Sequence, residues 1–159
     1  MALNVGDPAP NFTLADQDGL SHTLAGSRGH WVLVYFYPKD DTPGCTKEAC
    51  AIRDNFPEFK KLEAEVFGIS TDSTSDHRKF ADKYDLPFTL LADEDKEVVR
   101  QYEVWGEKKA FGRTFEGTKR MSYLVDADGN IAKIYKKVDT KKHATQVLED
   151  IRRLEAEHA

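Results

Sequence analysis

The most prominent feature of the hydrophobic pattern is an apolar run at residues 31–37, which ends at Pro38. Because both faces of this segment are apolar, it predicts a central strand that is buried on both sides. A second apolar run at 66–70 and a shorter one at 89–92 predict two further buried strands. The three runs together predict the core of one sheet.

Short apolar stretches on either side of turn residues predict two β-hairpins. One turns at Asp18-Gly19 and the other at Asp128-Gly129. The flanking stretches are 12–14, 20–24, 122–125 and 131–135. The first pair predicts a hairpin near the N-terminus.

Apolar residues at helical spacing predict helices between and after these strands. The first predicted helix begins after Gly44, and two more cover 74–84 and 96–104. A fourth is predicted from an apolar stripe near the C-terminus. The stripe consists of Val147, Leu148, Ile151 and Leu154. Pro57 should kink or break the first helix, because proline has no amide N–H to donate.

Strands that alternate with helices predict an α/β fold, with a central, mostly parallel or mixed sheet flanked by helices. The length of 159 residues predicts a single domain over residues 1–159. Ligands of such sheets bind beyond the carboxyl ends of the strands. The loop predicted at 38–44 occupies that place, directly after the central strand.

Composition and charge exclude several classes of protein. Apolar residues make up 40% and charged residues 32%, as in ordinary globular proteins. The net charge of −5 argues against nucleic-acid binding. No apolar run approaches the roughly 20 residues that cross a bilayer, and the first ten residues lack the pattern of a secretory signal. A cytoplasmic protein without membrane contact is therefore expected.

Cys45 is the strongest candidate for chemistry, because it follows the predicted loop and opens a predicted helix. Backbone N–H groups and the helix dipole stabilise an anion at a helix N-terminus. The thiolate is the nucleophilic form of cysteine. Thr42, three residues earlier, is placed to offer a hydroxyl to the sulfur or to its substrate.

The second cysteine, Cys50, lies five residues along the same predicted helix. On an ideal helix the two Cα atoms are roughly 8.7 Å apart, whereas a disulfide needs less than about 7 Å. The two sulfurs therefore cannot bond while the helix is intact. Either they do not pair, or the helix unwinds and couples chemistry at Cys45 to a conformational change.

Three other interpretations of the cysteines have less support. Buried structural thiols would suit an apolar stripe, but Cys45 follows a turn. A zinc site needs about four ligands, and no second Cys or His pair accompanies these two. A thioredoxin-type dithiol uses Cys-x-x-Cys, and Thr42 stands in the place of its first cysteine.

A cysteine–histidine hydrolase stays open, with His77 or His143 as its base, although nothing in the sequence places a base beside Cys45. Most of the histidines are expected at the surface, because polar residues surround them. The five histidines are His22, His30, His77, His143 and His158.

Residues 38–45 resemble the active-site pattern of the peroxiredoxins, Pro-x-x-x-Thr-x-x-Cys. Residues 46–54 resemble the peroxiredoxin Q, or bacterioferritin-comigratory, branch of that family. The similarity covers nearly the whole chain, and its other segments are 6–12, 104–109 and 120–126. The presence of these segments in this order makes the resemblance highly specific.

This resemblance implies a thioredoxin-like fold and a thiol-dependent peroxidase that reduces hydrogen peroxide and organic hydroperoxides. Cys45 matches the peroxidatic cysteine, whose thiolate becomes a sulfenic acid. Cys50 matches the resolving cysteine of the Cys-x4-Cys members, which forms an intramolecular disulfide with it. Thioredoxin or a similar dithiol would reduce that disulfide, and a monomer is expected.

The resemblance also implies supporting residues. Arg120 matches an active-site arginine that would favour the thiolate and donate hydrogen bonds to a peroxide oxygen. Thr42 would orient the peroxide, and Pro38 would shield the sulfur from water. Glu48 would accept from backbone or arginine donors, and Arg53 would join that network. No haem, flavin, nicotinamide or metal motif is visible, so no cofactor is expected.

The segment 107–142 carries ten basic and five acidic residues. We interpret it as a solvated face, with a docking surface for an acidic reductase as the alternative. Phe111, Phe115 and Trp105 would lie near the active site if this segment folds over it. Two other functions stay open: a redox sensor that reacts once, and an inert binding module.

Overall fold

The computed structural model describes residues 3–110 and 112–157. In chain order the strands are β1 (Thr13–Asp16), β2 (Ser21–Thr23), β3 (Val32–Phe36), β4 (Glu65–Ser70), β5 (Thr89–Ala92), β6 (Trp105–Ala110), β7 (Arg113–Thr118), β8 (Met121–Val125) and β9 (Ile131–Tyr135). The helices are α1 (Pro43–Lys61), α2 (Thr74–Tyr84), α3 (Glu97–Gln101) and α4 (His143–Glu157), with a 3-10 turn at Ala25–Ser27.

Seven of these strands form one sheet in the order β2-β1-β5-β4-β3-β8-β9. The central strand β3 pairs in parallel with β4, and β4 pairs in parallel with β5. The outer pairings are antiparallel. The result is a mixed α/β sheet flanked by helices, which confirms the predicted fold class and both predicted hairpins.

Helices cover the two faces of the sheet unequally. On one face, Ile52 of α1, Phe80 of α2 and Val147 of α4 pack against Leu33 and Tyr35 of β3. Three helices cover this face, and they include the predicted C-terminal stripe. The helix that carries both cysteines is therefore packed directly on the central strand.

The opposite face is covered by α3 and the N-terminal segment. Val98 and Val99 of α3 pack with Phe12 against Val34 and Phe36 of β3. Every residue of β3 is buried, as the apolar run predicted. Because β3 is buried on both faces, its carboxyl end gives the loop that follows it a rigid base.

The first helix differs from the prediction at two points. It begins at Pro43, inside the predicted loop 38–44. It also continues through Pro57, so the break that was one of the two predicted outcomes at this proline does not occur. Proline is well tolerated in the first helical turn, because its missing N–H has no partner there in any case. Pro57 is exposed, so the carbonyl that loses its helical partner is on the solvent side of the helix.

The chain between α3 and β8 also differs from the prediction. The helix expected at 96–104 covers only Glu97–Gln101, because Lys96 and Glu103 on either side adopt left-handed backbone conformations. After it, β6 and β7 form a separate two-stranded sheet that the sequence did not predict. Both faces of this hairpin carry polar residues, so the alternation that marks a half-buried strand is missing.

A helix that spans a bilayer needs about 20 predominantly apolar residues. Over residues 3–110 and 112–157, none is both long enough and apolar enough to span a membrane.

Candidate active site

Cys45 lies in the first turn of α1, beyond the carboxyl end of β3. Its side chain is almost fully buried, and it is a free cysteine. The helix begins after Thr42, which has an extended backbone. The first helical hydrogen bond runs from the Thr46 amide to the Thr42 carbonyl. The sulfur is therefore held where the unpaired amides of a helix start stabilise negative charge.

Arg120 is the residue that contacts this sulfur. It lies between β7 and β8, and its Nη2 donates to Cys45 Sγ at 3.3 Å. Its Nη1 donates to Glu48 Oε1 at 2.8 Å. Burial alone would lower the pKa of Arg120, but negative charge on Cys45 and Glu48 outweighs burial and raises this pKa. The guanidinium therefore keeps its charge beside the sulfur.

Glu48 follows Cys45 by one helical turn and has no exposed surface. Burial raises the pKa of this carboxyl to about 7, even though the neighbouring Arg120 acts in the opposite direction. Its second oxygen, Oε2, has no hydrogen-bond partner among the described residues. Glu48 thus holds Arg120 in place through one oxygen only, and it does so against a large cost of desolvation.

Gly44 makes room for this arginine. A Cβ atom at this position would lie 3.0 Å from Arg120 Nη2, which is tighter than most Cβ contacts, so the guanidinium would have to shift. The glycine of the loop-to-helix turn therefore serves the approach of the guanidinium, since its backbone is helical and does not need a positive φ.

Thr42 and Pro38 belong to the loop that leads from β3 to the helix of Cys45, and both are half-buried. The Thr42 hydroxyl donates to the Lys39 carbonyl at 2.8 Å. Because its proton is used within the loop, the Thr42 oxygen is left with lone pairs that accept a hydrogen bond. Such an acceptor can orient a molecule that has an O–H to donate.

The second cysteine is on the same unbroken helix. Cys50 is free and half-buried, and α1 is continuous from Pro43 to Lys61. The structure places Arg53 outside the network of Glu48 and Arg120. Its Nε donates to Asp54 at 3.0 Å, and its Nη1 donates to the Tyr84 carbonyl at 2.7 Å, which joins α1 to the end of α2.

The separate hairpin contributes a residue near the site that sequence reasoning had not singled out. Lys108 of β6 is half-buried, and its Nζ donates to the Thr118 carbonyl at 2.9 Å. Burial lowers the pKa of Lys108, the charge of Arg120 lowers it further, and negative charge on Cys45 opposes both. Phe115 is 46% exposed, and Phe111 lies outside the described residues.

The expectation that most histidines are at the surface was wrong for His77 and His143, which are both buried. His77 lies on the inner face of α2 with Phe80 and Ala81, three and four residues on. That helical spacing was the signal that could have placed it inside. The hydrogen bonds of His77 go to Asp40 and the Leu91 carbonyl, and that of His143 goes to Ser122.

Asp40, Asp72 and His77 form the one group in the described part of the chain whose ligand atoms are close enough together to hold a metal ion. Hydrogen bonds already occupy this group: Asp40 contacts His77 at 2.6 Å, and the Asp40 amide donates to Asp72 at 2.9 Å. Asp40 belongs to the active-site loop, so this cluster ties the loop to the rest of the fold.

With this geometry in view, the chain was compared with known proteins. The model of the AhpC/TSA family matches residues 5–134. Peroxiredoxin Bcp of Escherichia coli (strain K12) is 50% identical over 146 residues, which cover 92% of this chain and 94% of that protein. Both matches extend over most of the chain and include the loop and helix that carry the two cysteines.

Solved structures give the same result. The bacterioferritin comigratory protein of Xanthomonas campestris, studied for its alkyl peroxide reduction activity, matches with a TM-score of 0.86 and 34% identity, over 95% of this chain and 96% of that one. A cysteine-to-serine mutant of PrxQ from Xylella fastidiosa matches with a TM-score of 0.90 and 29% identity, over 96% and 98% of the two chains.

These similarities confirm the thioredoxin-like fold and the resemblance that residues 38–54 indicated. They also agree with the geometry, in which a buried thiol at a helix start contacts an arginine. The chain belongs to the AhpC/TSA family, as a thiol peroxidase of its Bcp/PrxQ peroxiredoxins.

Proposed function

We propose that this peroxiredoxin reduces peroxides at Cys45, and that Arg120 holds both the thiolate and the reacting oxygen. The observation that carries this proposal is the 3.3 Å contact between Arg120 Nη2 and Cys45 Sγ at the start of α1. A guanidinium has five N–H donors. After its contacts to sulfur and to Glu48, it keeps donors for a peroxide oxygen.

The first step is nucleophilic displacement at oxygen. The Cys45 thiolate attacks one oxygen of the hydroperoxide, an S–O bond forms, and the O–O bond breaks. The leaving oxygen takes a proton and departs as water or an alcohol, while Cys45 becomes a sulfenic acid. Thr42 accepts the hydrogen bond of the peroxide, and Pro38 restricts the access of water to the sulfur.

The second step joins the two cysteines. The Cys50 thiolate attacks the sulfenic sulfur, an S–S bond forms, and hydroxide leaves and is protonated to water. Because both cysteines lie on one continuous helix, this step requires the first turns of α1 to unwind. Arg53 joins α1 to the end of α2, so we expect the helix from this residue onward to stay folded.

A dithiol then supplies the two electrons that restore both thiols, and thioredoxin or a similar protein is the proposed reductant. A reducing compartment such as the cytoplasm suits this cycle, since both thiols must be regenerated. We further propose that residues 1–159 form one domain that acts as a monomer, because both cysteines of the cycle belong to the same helix.

Thiol titration before and after one equivalent of hydrogen peroxide tests these roles. The wild type should lose both thiols within seconds, the Cys45→Ser variant should lose none, and Cys50→Ser should accumulate a sulfenic acid. Survival of both thiols in the wild type would overturn the proposal. Repeated turnover with a thioredoxin system would establish catalysis, and a reaction that stops after one equivalent would instead indicate a sensor.

A further inference from the structure

A buried polar cluster lies beneath the active-site loop, and the reaction steps above make no use of it. Its centre is Asp40, between Pro38 and Thr42. One oxygen of the Asp40 carboxylate accepts from the Tyr37 hydroxyl at 2.5 Å, and the other lies 2.6 Å from Nδ1 of His77. Asp40 is 9% exposed and His77 is fully buried.

The contacts of His77 identify where its protons are. Nε2 lies 2.9 Å from the Leu91 carbonyl, and a carbonyl only accepts, so Nε2 carries a proton. Nδ1 lies 2.6 Å from a carboxylate oxygen, which also requires a proton between the two atoms. Both contacts are satisfied at once when the imidazole is doubly protonated and forms a buried ion pair with Asp40.

The electrostatics of the pocket agree with this assignment. Burial alone would lower the pKa of His77, but the hydrogen bond and charge of Asp40 oppose it. The Leu91 carbonyl and the charge of Asp72 act in the same direction as Asp40, so the pKa of His77 is raised. The groups that face the imidazole are Asp40 and Tyr37 at the end of β3, Asp72 after β4, and the Leu91 carbonyl of β5.

The same aspartate is held through its backbone. Its amide donates to Asp72 Oδ2 at 2.9 Å, and the Ser70 hydroxyl donates to that oxygen at 2.6 Å. Asp40 is thus joined to the ends of β3 and β4 and to α2. The next residue, Asp41, contacts Lys83 and Tyr84, but these contacts are exposed, and exposed ion pairs contribute little.

We propose that Asp40 and His77 are positioning residues, which anchor the active-site loop and favour the folded, peroxide-reactive form of α1 over its unwound, disulfide-forming form. This proposal rests on the proposed function, because it concerns the balance between the two steps at Cys45 and Cys50. Asp40 fixes the loop two residues before Thr42, the N-cap residue of α1. The part of the chain that unwinds therefore begins after Asp40.

The physical reason is that the loop loses a buried, charge-assisted tie when either partner is changed. Without the tie, the position of Thr42 and of the first turn of α1 is less restricted. Attack on peroxide needs that arrangement, whereas disulfide formation needs its loss. Removal of the anchor should therefore slow the first step and accelerate the second.

The test uses His77→Gln, Asp40→Asn and the double variant, with stopped-flow measurement of sulfenic acid formation and of the disulfide step that follows. In each single variant the first rate constant should fall about tenfold, which corresponds to ~1.4 kcal/mol. The second should rise, and more peroxide should be needed to over-oxidise Cys45. The double variant should resemble the single ones, because both changes remove the same contact.

His22→Gln is the matched control, since His22 forms a similar 2.6 Å contact with Asp16 in the β1–β2 hairpin; both rate constants should stay unchanged. An equal fall in both rate constants, or no fall in the first rate constant of folded Asp40→Asn, would overturn the proposal. If His77→Gln fails to fold, Asp40→Asn decides alone. Failure of the proposed function is distinct, because the wild type itself would then keep its thiols.

The pH profile gives a readout that a merely structural role would not change. Above its raised pKa, His77 loses one proton, and one of its two hydrogen bonds is lost with it. The first rate constant of the wild type should therefore show an alkaline decline that is absent from His77→Gln and Asp40→Asn. Other titrating groups, including Glu48, are present in all three proteins and cancel in the comparison. An identical decline in all three would overturn the proposal.

Discussion

At the scale of single residues, most of the active site converges on Arg120. It is the only described side chain with a hydrogen bond to Cys45 Sγ, and it shares its charge with Glu48. Its position also explains why Gly44 has no side chain. The environment of the Cys45 sulfur, the partner of Glu48 and the glycine at position 44 therefore all depend on one guanidinium.

Replacement of Arg120 by methionine should slow the reaction of Cys45 with hydrogen peroxide. A hydrogen bond to a charged group contributes about 1.5–3 kcal/mol, so the expected loss is about 10- to 150-fold. Stopped-flow measurement of the first oxidation step checks it. Arg152→Met is the control, because Arg152 forms an exposed pair with Glu58, and a similar loss there would contradict the role of Arg120.

Glu48 should make the stability of the protein depend on pH. Its pKa is about 7 in the folded state against an ordinary 4.5, so the folded state binds this proton more tightly. The free energy of unfolding should therefore fall as the pH rises from 4.5 to 7, by about 3 kcal/mol from this group. Urea unfolding of the wild type and Glu48→Gln should show a difference that grows over this range. A constant difference would contradict the prediction.

At the scale of elements, α1 has two conflicting tasks. Its first turn must be well formed to hold Cys45, and the same turn must unwind before Cys45 reaches Cys50. The helix contains Gly44, which weakens a helix by about 0.5–1 kcal/mol relative to alanine. Glycine at this position thus serves both the approach of Arg120 and the unwinding.

Gly44→Ala separates stability from reactivity. Alanine should strengthen α1 by up to about 1 kcal/mol, so the melting temperature should stay the same or rise. Its Cβ would lie 3.0 Å from Arg120 Nη2, so the guanidinium must move and the oxidation of Cys45 should slow about tenfold, the effect of ~1.4 kcal/mol. In an Arg120→Met background the substitution should cause no further loss, and an additive loss would contradict this explanation.

The sequence predicted elements well wherever one face was clearly apolar. The predicted bounds of α2 and β5 match the structure, and β3, β8 and β9 lie where the apolar runs placed them. The hairpin β6–β7 was missed, because polar residues on both faces remove the period-two signal. Long-range pairs such as Asp40 with His77 leave no pattern in a single sequence, since they join positions that are distant along the chain.

At the scale of the whole molecule, buried titratable groups on different helices affect stability in opposite directions. His143 begins α4, contacts Ser122 of β8 at 2.8 Å, and packs against Tyr135. Burial lowers the pKa of His143 to about 4, although the charge of Asp150 opposes this. The unfolded chain binds this proton first, so His143 destabilises the fold as the pH falls from about 6.5 to 4.

The contributions of His143 and Glu48 should nearly cancel between pH 4.5 and 6.5, because one increases with pH as the other decreases, each by about 1.4 kcal/mol per pH unit. Relative to wild type, His143→Gln should gain stability as the pH falls through this window, and Glu48→Gln should gain it as the pH rises. The double variant should regain the pH dependence of the wild type. Urea unfolding at several pH values checks this, with the exposed His30→Gln as control. If the single variants had parallel profiles, the two groups would not titrate as their burial requires.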